Sequence, residues 1–193
     1  TKPLTEKIIS NIDRADSMIA DLLDANRIKA GERLPLKTSV CDIDAVVSKT
    51  VDELRQPIGS RLRLETSGPC VGQWSETVIR RVLENLVSNA AKYGSRDGPI
   101  TVRLQCQGDG ARIQVHNLGS QLSDIEAASL FKIFHRSKQA EAGEHRGWGI
   151  GLALVKGLAE AHGGTVSVES SAGKGTCFTV ELKEDHRPPD DTA

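Results

Sequence analysis

Aromatic side chains make up only 3% of this 193-residue chain: two Trp, one Tyr and three Phe. Its core must therefore be aliphatic. No apolar run approaches the roughly 20 residues that a membrane-spanning helix needs, so this segment is expected to make no membrane contact. No signal-peptide pattern opens it. Lys and Arg total 25 against 26 Asp and Glu, a formal net charge of -1. A basic footprint is missing, and nucleic acid is not an expected partner. Cys41, Cys70, Cys106 and Cys177 are widely spaced, with no CxxC. The expectation is four scattered, reduced core thiols in a cytoplasmic setting. The chain begins at Thr1 rather than Met and reads as an excerpt, whose parent has room for a membrane anchor. Its length suits one domain with a proper core plus an appendage.

What the chain does have is concentrated in residues 81–151. Val78, Val82, Leu86 and Ala90 recur at four-residue spacing, with Leu83 and Val87 beside them. That is an amphipathic helix with one buried face. Asn85 and Asn89 share another stripe, and Lys92 follows about one turn on. An Asn oxygen is a hard ligand suited to Mg²⁺, which commonly binds with help from substrate phosphates. A Lys beside it offers a point charge to a phosphate. By itself an NxxxN is weak, because a solvated helix face carries the same residues.

The second piece is Gly147-Trp148-Gly149-Ile150-Gly151-Leu152, followed by an apolar helical pattern from Ile150 to Ala159. Alternate glycines let the backbone approach a ligand closely. The helix start behind them offers free N–H groups to an anion. Two commoner phosphate motifs are excluded. A Rossmann fingerprint needs Gly where Leu152 stands, and a Walker loop around Gly173-Lys174 needs Gly at Val168 and Ser or Thr at Gly175.

These residues resemble those of bacterial sensor histidine kinases, within the wider superfamily of gyrase and MutL. Asn85-xxx-Asn89-Ala-x-Lys92-Tyr93 looks like the N box, Phe131-x-x-Phe134 the F box, and Gly147-x-Gly149-x-Gly151-Leu152 the second glycine box. Gly173-x-Gly175-Thr176-x-Phe178 resembles the last Gly-Thr motif. Four motifs in order, over residues 13 to 183, make the match specific. Asn117-Leu118-Gly119-Ser120-Gln121 stands where the family has Asp-x-Gly-x-Gly. The family's Asp accepts a hydrogen bond from the adenine amino group. Asn117 can also accept one, but it is neutral and carries its own donors.

Residues 4–29 read as one long helix. Leu4, Ile8, Ile12, Ala15, Ile19 and Leu22 form a narrow seam, and Gly31 ends it. Arg14-Ala15-x-x-Met18-Ile19-x-Asp21-Leu22-Leu23 resembles the second helix of the family's dimerisation hairpin. The other reading is an ordinary helix folded back on the domain. Further on, strands are predicted at 34–38, 61–66, 100–107, 112–117, 165–170 and 176–183, with a short strand ending at Trp74. Helices are predicted at 42–56, 75–92, 124–130 and 150–162. Pro57-Ile58-Gly59 should break the first of these, and Ser75 should cap the second. Polar residues 136–145 lack any apolar period and correspond to the family's mobile lid over ATP.

The predicted fold is α+β, a two-layer sandwich of a mixed, largely antiparallel sheet covered on one face by helices, behind a long helix. Residues 1–33 read as part of a dimerisation and phosphotransfer hairpin, 34–185 as a catalytic ATP-binding domain, and 186–193 as a disordered tail. The resemblance implies phosphoryl transfer from Mg-ATP to a histidine and onward to a response regulator, by a kinase that dimerises through the first helix. It implies catalytic roles for Asn85, Asn89 and Lys92, with Mg²⁺ at Asn89 and Asn85 nearby. ATP would also touch Tyr93, Asn117, Gly119, Arg136, Gly147, Gly149, Ile150, Gly151, Leu152 and Thr176. The same resemblance predicts that this chain lacks the phosphoacceptor histidine. Two rivals remain: a serine kinase of the anti-sigma type, which would lack the long first helix, and a degenerate, non-catalytic ATP-binding or dimerisation module.

Overall fold

The computed structural model describes residues 2–108, 110–119, 121–133 and 149–184, with side chains for all but 2–4, 6, 7, 10, 13 and 14. Phe134, the expected lid, Arg136, Gly147 and the tail 186–193 lie outside the described residues.

Alternation builds the sheet. In β5 (Gly110–Asn117), Ala111, Ile113, Val115 and Asn117 are buried, while Arg112, Gln114 and His116 face the other side. β5 lies between β4 (Ile100–Gln107) and β7 (Gly175–Lys183), antiparallel to both. β2 (Leu62–Thr66) adds to β4 in parallel, and β6 (Thr165–Ser171) pairs antiparallel with β7. The order is β2-β4-β5-β7-β6, a mixed and largely antiparallel sheet as predicted. Its open face is polar, tied across strands by Arg112–Glu181 at 2.7 Å and Arg103–Glu65 at 2.5 Å.

Helices α2 (Ile43–Ile58), α3 (Glu76–Tyr93) and α5 (Gly151–Ala161) cover the apolar face; α4 (Asp124–Ser129) is a single short turn with a Ser123–Glu126 capping box. The core is aliphatic: among the described residues, Trp74 and Phe178 are its only fully buried aromatics. Pro57 does not break α2. It sits in the last turn, where losing one N–H costs a single helical bond, and Gly59 at φ 80 ends the helix two residues later than predicted.

Residues 34–38 are not a strand. Leu34 and Leu36 pack against the core, yet no neighbouring strand takes up their backbone groups. Pairing begins at Ser39, where β1 (Ser39–Asp42) meets β3 (Val71–Trp74) in a separate antiparallel ribbon. The thiol expectation also fails for one pair. Cys70 and Cys106 form a disulfide across a Cα separation of 6.1 Å, while Cys41 and Cys177 are free. Their distance along the chain concealed that the β2–β3 loop lies against β4.

The first helix, α1 (Lys2–Lys29), stops at Gly31, φ 76, with Glu32 N–H returning to the Arg27 carbonyl at 2.9 Å. The reading of a helix folded back on the domain holds for its C-terminal end. Its last turns fold back on α5, where Ala25 is buried against Ile150 and Leu154. Ile28 approaches α5 so closely that a β-carbon on Gly157 would lie 2.6 Å from its Cδ1. Farther up, Ile8, Ile12, Ile19 and Leu23 are each more than half exposed, an apolar strip that no other described residue covers.

Candidate functional site

Helix α3 carries the candidate residues because its other face is locked in the core. Val78, Ile79, Val82, Leu83, Leu86, Val87 and Ala90 are all buried. Ser75 occupies the N-cap position, but its hydroxyl makes no capping bond. Instead its backbone N–H donates to His162 Nε2 at 3.2 Å, and His162 Nδ1–H donates to the Lys183 carbonyl at 2.8 Å. An N–H facing Nε2 and a carbonyl facing Nδ1 select the neutral Nδ1–H tautomer. His162 is therefore a buried brace between α3, α5 and β7, and its ring lies 5.7 Å from that of Trp74.

Asn85 is half-buried, and its Nδ2 donates to the Arg81 carbonyl at 2.9 Å. That bond turns the carboxamide oxygen away from its own helix and toward α5. A β-carbon on Gly151 would lie 2.5 Å from this oxygen. Gly149, at φ 68, makes the turn that brings the start of α5 here. Ile150 caps α5 without a side-chain bond, and the first turn behind it leaves N–H groups with no intrahelical partner. Ile150 and Leu152 point into the cores, so only their backbone is available to a ligand. Asn89 is half-buried one turn beyond Asn85, and Lys92 and Tyr93 are exposed.

A second group gathers at the far end of α3. Asn117, 5% exposed, ends β5 opposite Thr176 of β7. Its Nδ2 donates to the Leu118 carbonyl at 3.2 Å. Gly94 and Gly119 bridge, and a β-carbon on Gly119 would come within 3.0 Å of the Tyr93 carbonyl. Gly175 leaves no room for a β-carbon beside the Asn117 carbonyl. Thr176 Oγ1 shares a 2.8 Å hydrogen bond with Ser170 Oγ, which accepts the Leu122 N–H at 3.0 Å. The eight residue steps from Asn85 to Tyr93 span about 12 Å of helix. The described candidates therefore form two groups at the ends of one polar stripe. Arg136 and Gly147 lie outside the described residues.

Sequence reading passed over Arg81, Gly94 and Ser170. Gly94 and Ser170 act by close approach or a bridging hydroxyl, which leave no pattern along the chain. Arg81 orients Asn85 through its carbonyl, while its guanidinium bonds Asp21 at 2.9 Å and Asp24 at 2.7 Å on α1. Burial works against that charge, but the two aspartates outweigh it and hold Arg81 firmly protonated. Glu84, one step round α3, has Arg80, Glu53, Arg81 and Asp21 as its charged neighbours; burial raises its carboxyl above the usual range.

A helix-covered mixed sheet, with an amide-bearing helix meeting a glycine-led helix start, defines an ATP-binding domain of the two-layer α+β kind. The chain belongs to the family described as histidine kinase-, DNA gyrase B- and HSP90-like ATPases, whose model matches residues 75–186. Its relatives place it with the catalytic ATP-binding part of bacterial sensor histidine kinases. It is 31% identical over 188 residues to the sensor-like histidine kinase SenX3 of Mycobacterium tuberculosis, covering 92% of this chain and 44% of the relative. It is also 31% identical over 186 residues to the sensor histidine kinase CusS of Escherichia coli, covering 94% and 38%. The chain thus spans less than half the length of these curated relatives. Among solved structures, full-length ShkA in complex with AMPPNP matches with a TM-score of 0.74 and 25% identity, over 92% of this chain and 37% of that one. The Acinetobacter baumannii histidine kinase AdeS matches in fold, with a TM-score of 0.70 at 19% identity, over 96% and 86%. Among the described residues no helix is long and apolar enough to cross a membrane.

Proposed function

We propose that this chain holds Mg-ATP between α3 and the start of α5 and transfers the γ-phosphoryl group to a histidine on a helix it does not itself contain, feeding a response-regulator receiver domain. The observation that carries this reading is the orientation of Asn85. Its Nδ2 is taken by Arg81, so its oxygen is presented at the first turn of α5. Two neutral amide oxygens, from Asn85 and Asn89, suit a Mg²⁺ that takes its remaining ligands from phosphate and water. Consistent with that, no group of three or more His, Cys, Asp or Glu among the described residues forms a metal cage. When bound, Mg²⁺ neutralises charge on the phosphates. The chain's own share is positioning: the N–H groups of Gly151 and Leu152, which have no acceptor within the helix, draw the phosphates, and Lys92 adds a mobile charge. At the other end Asn117, Gly119 and Thr176 would receive the base.

A water-activating carboxylate four residues before the metal amide would suit a hydrolase; here that residue is Asn85, and Glu84 faces Arg80 and Glu53 instead. A histidine acceptor is itself a nucleophile near neutral pH and needs no such base. The described histidines make poor acceptors. His162 is buried with both nitrogens engaged, and His116 is bound to the Lys174 carbonyl at 2.7 Å. We assign dimerisation to residues 1–33, which include α1, catalysis to 34–185, and the cytoplasm as the site of action. Incubation with γ-labelled ATP tests the reading. The chain alone should bind Mg-ATP without gaining acid-labile label, and label should appear on an added acceptor-helix fragment. Acid-labile label on the chain alone would place the acceptor among its own histidines and overturn the assignment.

A further inference from the structure

The disulfide lies outside the nucleotide site, yet its position relates to that site. Residues 71–105, between Cys70 and Cys106, contain β3, the whole of α3 and most of β4. The enclosed loop therefore carries Asn85, Asn89, Lys92, Tyr93 and Gly94. The bridge also ties the β1–β3 ribbon, through Cys70 next to Val71, to β4 of the main sheet.

Both cysteines are held by bonds that do not involve sulfur. Cys70 N–H donates to Asp42 Oδ1 at 2.9 Å, and its carbonyl accepts Ile43 N–H at 3.0 Å. Asp42 Oδ1 also accepts Asp44 N–H at 3.0 Å as the cap of α2. Cys106 N–H donates to Ser67 Oγ at 3.4 Å, just past the end of β2. With these bonds in place, the two sulfurs stay within reach of each other when reduced. Both residues are half-buried rather than sealed in, so a small thiol or disulfide can reach them.

We propose that Cys70 and Cys106 are a reversible thiol–disulfide site that sets the stability of the nucleotide-facing unit. The exchange partner is a small-molecule disulfide such as oxidised glutathione. One cysteine thiolate attacks it, forms a mixed disulfide and expels one thiolate. The second cysteine then attacks the protein sulfur of that mixed disulfide and expels the other thiolate. The two protein thiols lose two electrons and two protons, and the small disulfide becomes two thiols. Closing a loop of this length removes chain entropy from the unfolded state. The buried apolar face of α3 folds the unit with or without the bridge, so reduction loosens it and does not abolish it. Cys41, on β1 with its thiol toward the Trp74 carbonyl, and Cys177, on β7, are each unpaired, and burial raises both thiols above their ordinary range.

The test uses the full chain, equilibrated with oxidised glutathione or with dithiothreitol; one portion is unfolded in the presence of an alkylating reagent and mapped by mass spectrometry, and another is melted without alkylation. After oxidised glutathione only Cys41 and Cys177 should take the label on unfolding, and after dithiothreitol all four cysteines should. The reduced form should melt lower by roughly 8 to 15 °C. A Cys41→Ala/Cys177→Ala variant should keep that shift, and Cys106→Ser should lose it. Four labelled cysteines after oxidised glutathione, equal melting temperatures in the two states, or a shift that survives in Cys106→Ser would each overturn the proposal. Should Cys106→Ser fail to fold, the wild-type and double-variant melts still decide.

Discussion

The Asn85 carboxamide oxygen stands 2.5 Å from where a β-carbon on Gly151 would be placed. The two residues are brought together by different causes: Asn85 by the Arg81 carbonyl, Gly151 by the φ 68 turn at Gly149. Any side chain at Gly151 must push the amide aside.

Gly151→Ala should therefore weaken Mg-ATP binding by about tenfold, the scale of a small overpacking cost converted to affinity. Alanine's better helix propensity, about 1 kcal/mol over glycine, offsets part of the crowding in the free protein. The melting temperature should accordingly move little while the titration shifts. Unchanged affinity would mean the amide oxygen is not a ligand-facing atom.

Asn89→Ala should remove the magnesium dependence of ATP binding and leave the fold intact. The side chain is only half-buried, and the buried face of α3 does not include it. Calorimetric titrations with and without Mg²⁺, beside a circular dichroism melt, check this. A variant that still binds ATP more tightly with Mg²⁺ places the metal elsewhere.

Arg81→Ala should release the end of α1 from the sheet-bearing body. The guanidinium bonds both Asp21 and Asp24, with side-chain exposures of 23% for Arg81, 35% for Asp21 and 14% for Asp24. Partly screened charge-assisted bonds of this kind contribute roughly 1–2 kcal/mol. Amide exchange over residues 18–29 should speed up, and added salt should do less in the variant than in the wild type. Exchange in the variant equal to wild type would leave Ala25 and Ile28 as the sole anchors.

His162→Leu should lower stability by roughly 1–3 kcal/mol, because it strands the buried Ser75 N–H and removes the donor to the partly buried Lys183 carbonyl. Urea denaturation measures it. A loss under 1 kcal/mol would show that water reaches both groups.

Much of this protein is legible in the order of its residues. Periods of two and of three to four place nearly every element, because a strand or helix with one buried face must repeat its apolar residues at its own pitch. Asn85 with Asn89, and Gly149 with Gly151, declare themselves because local spacing alone puts them on one stripe or in one turn. The misread stretches have a different origin. Leu34 and Leu36 alternate like a strand, but a strand exists only where a neighbour takes its hydrogen bonds, and the neighbour starts at Ser39. The Cys70–Cys106 bond, the inward turn of Ile150 and Leu152, and the docking of Ala25 on α5 all join residues far apart in the chain. Periodicity reports which face of an element avoids water. Which element then covers that face, and which way an amide such as Asn85 turns, is decided by contacts that form only when the layers close.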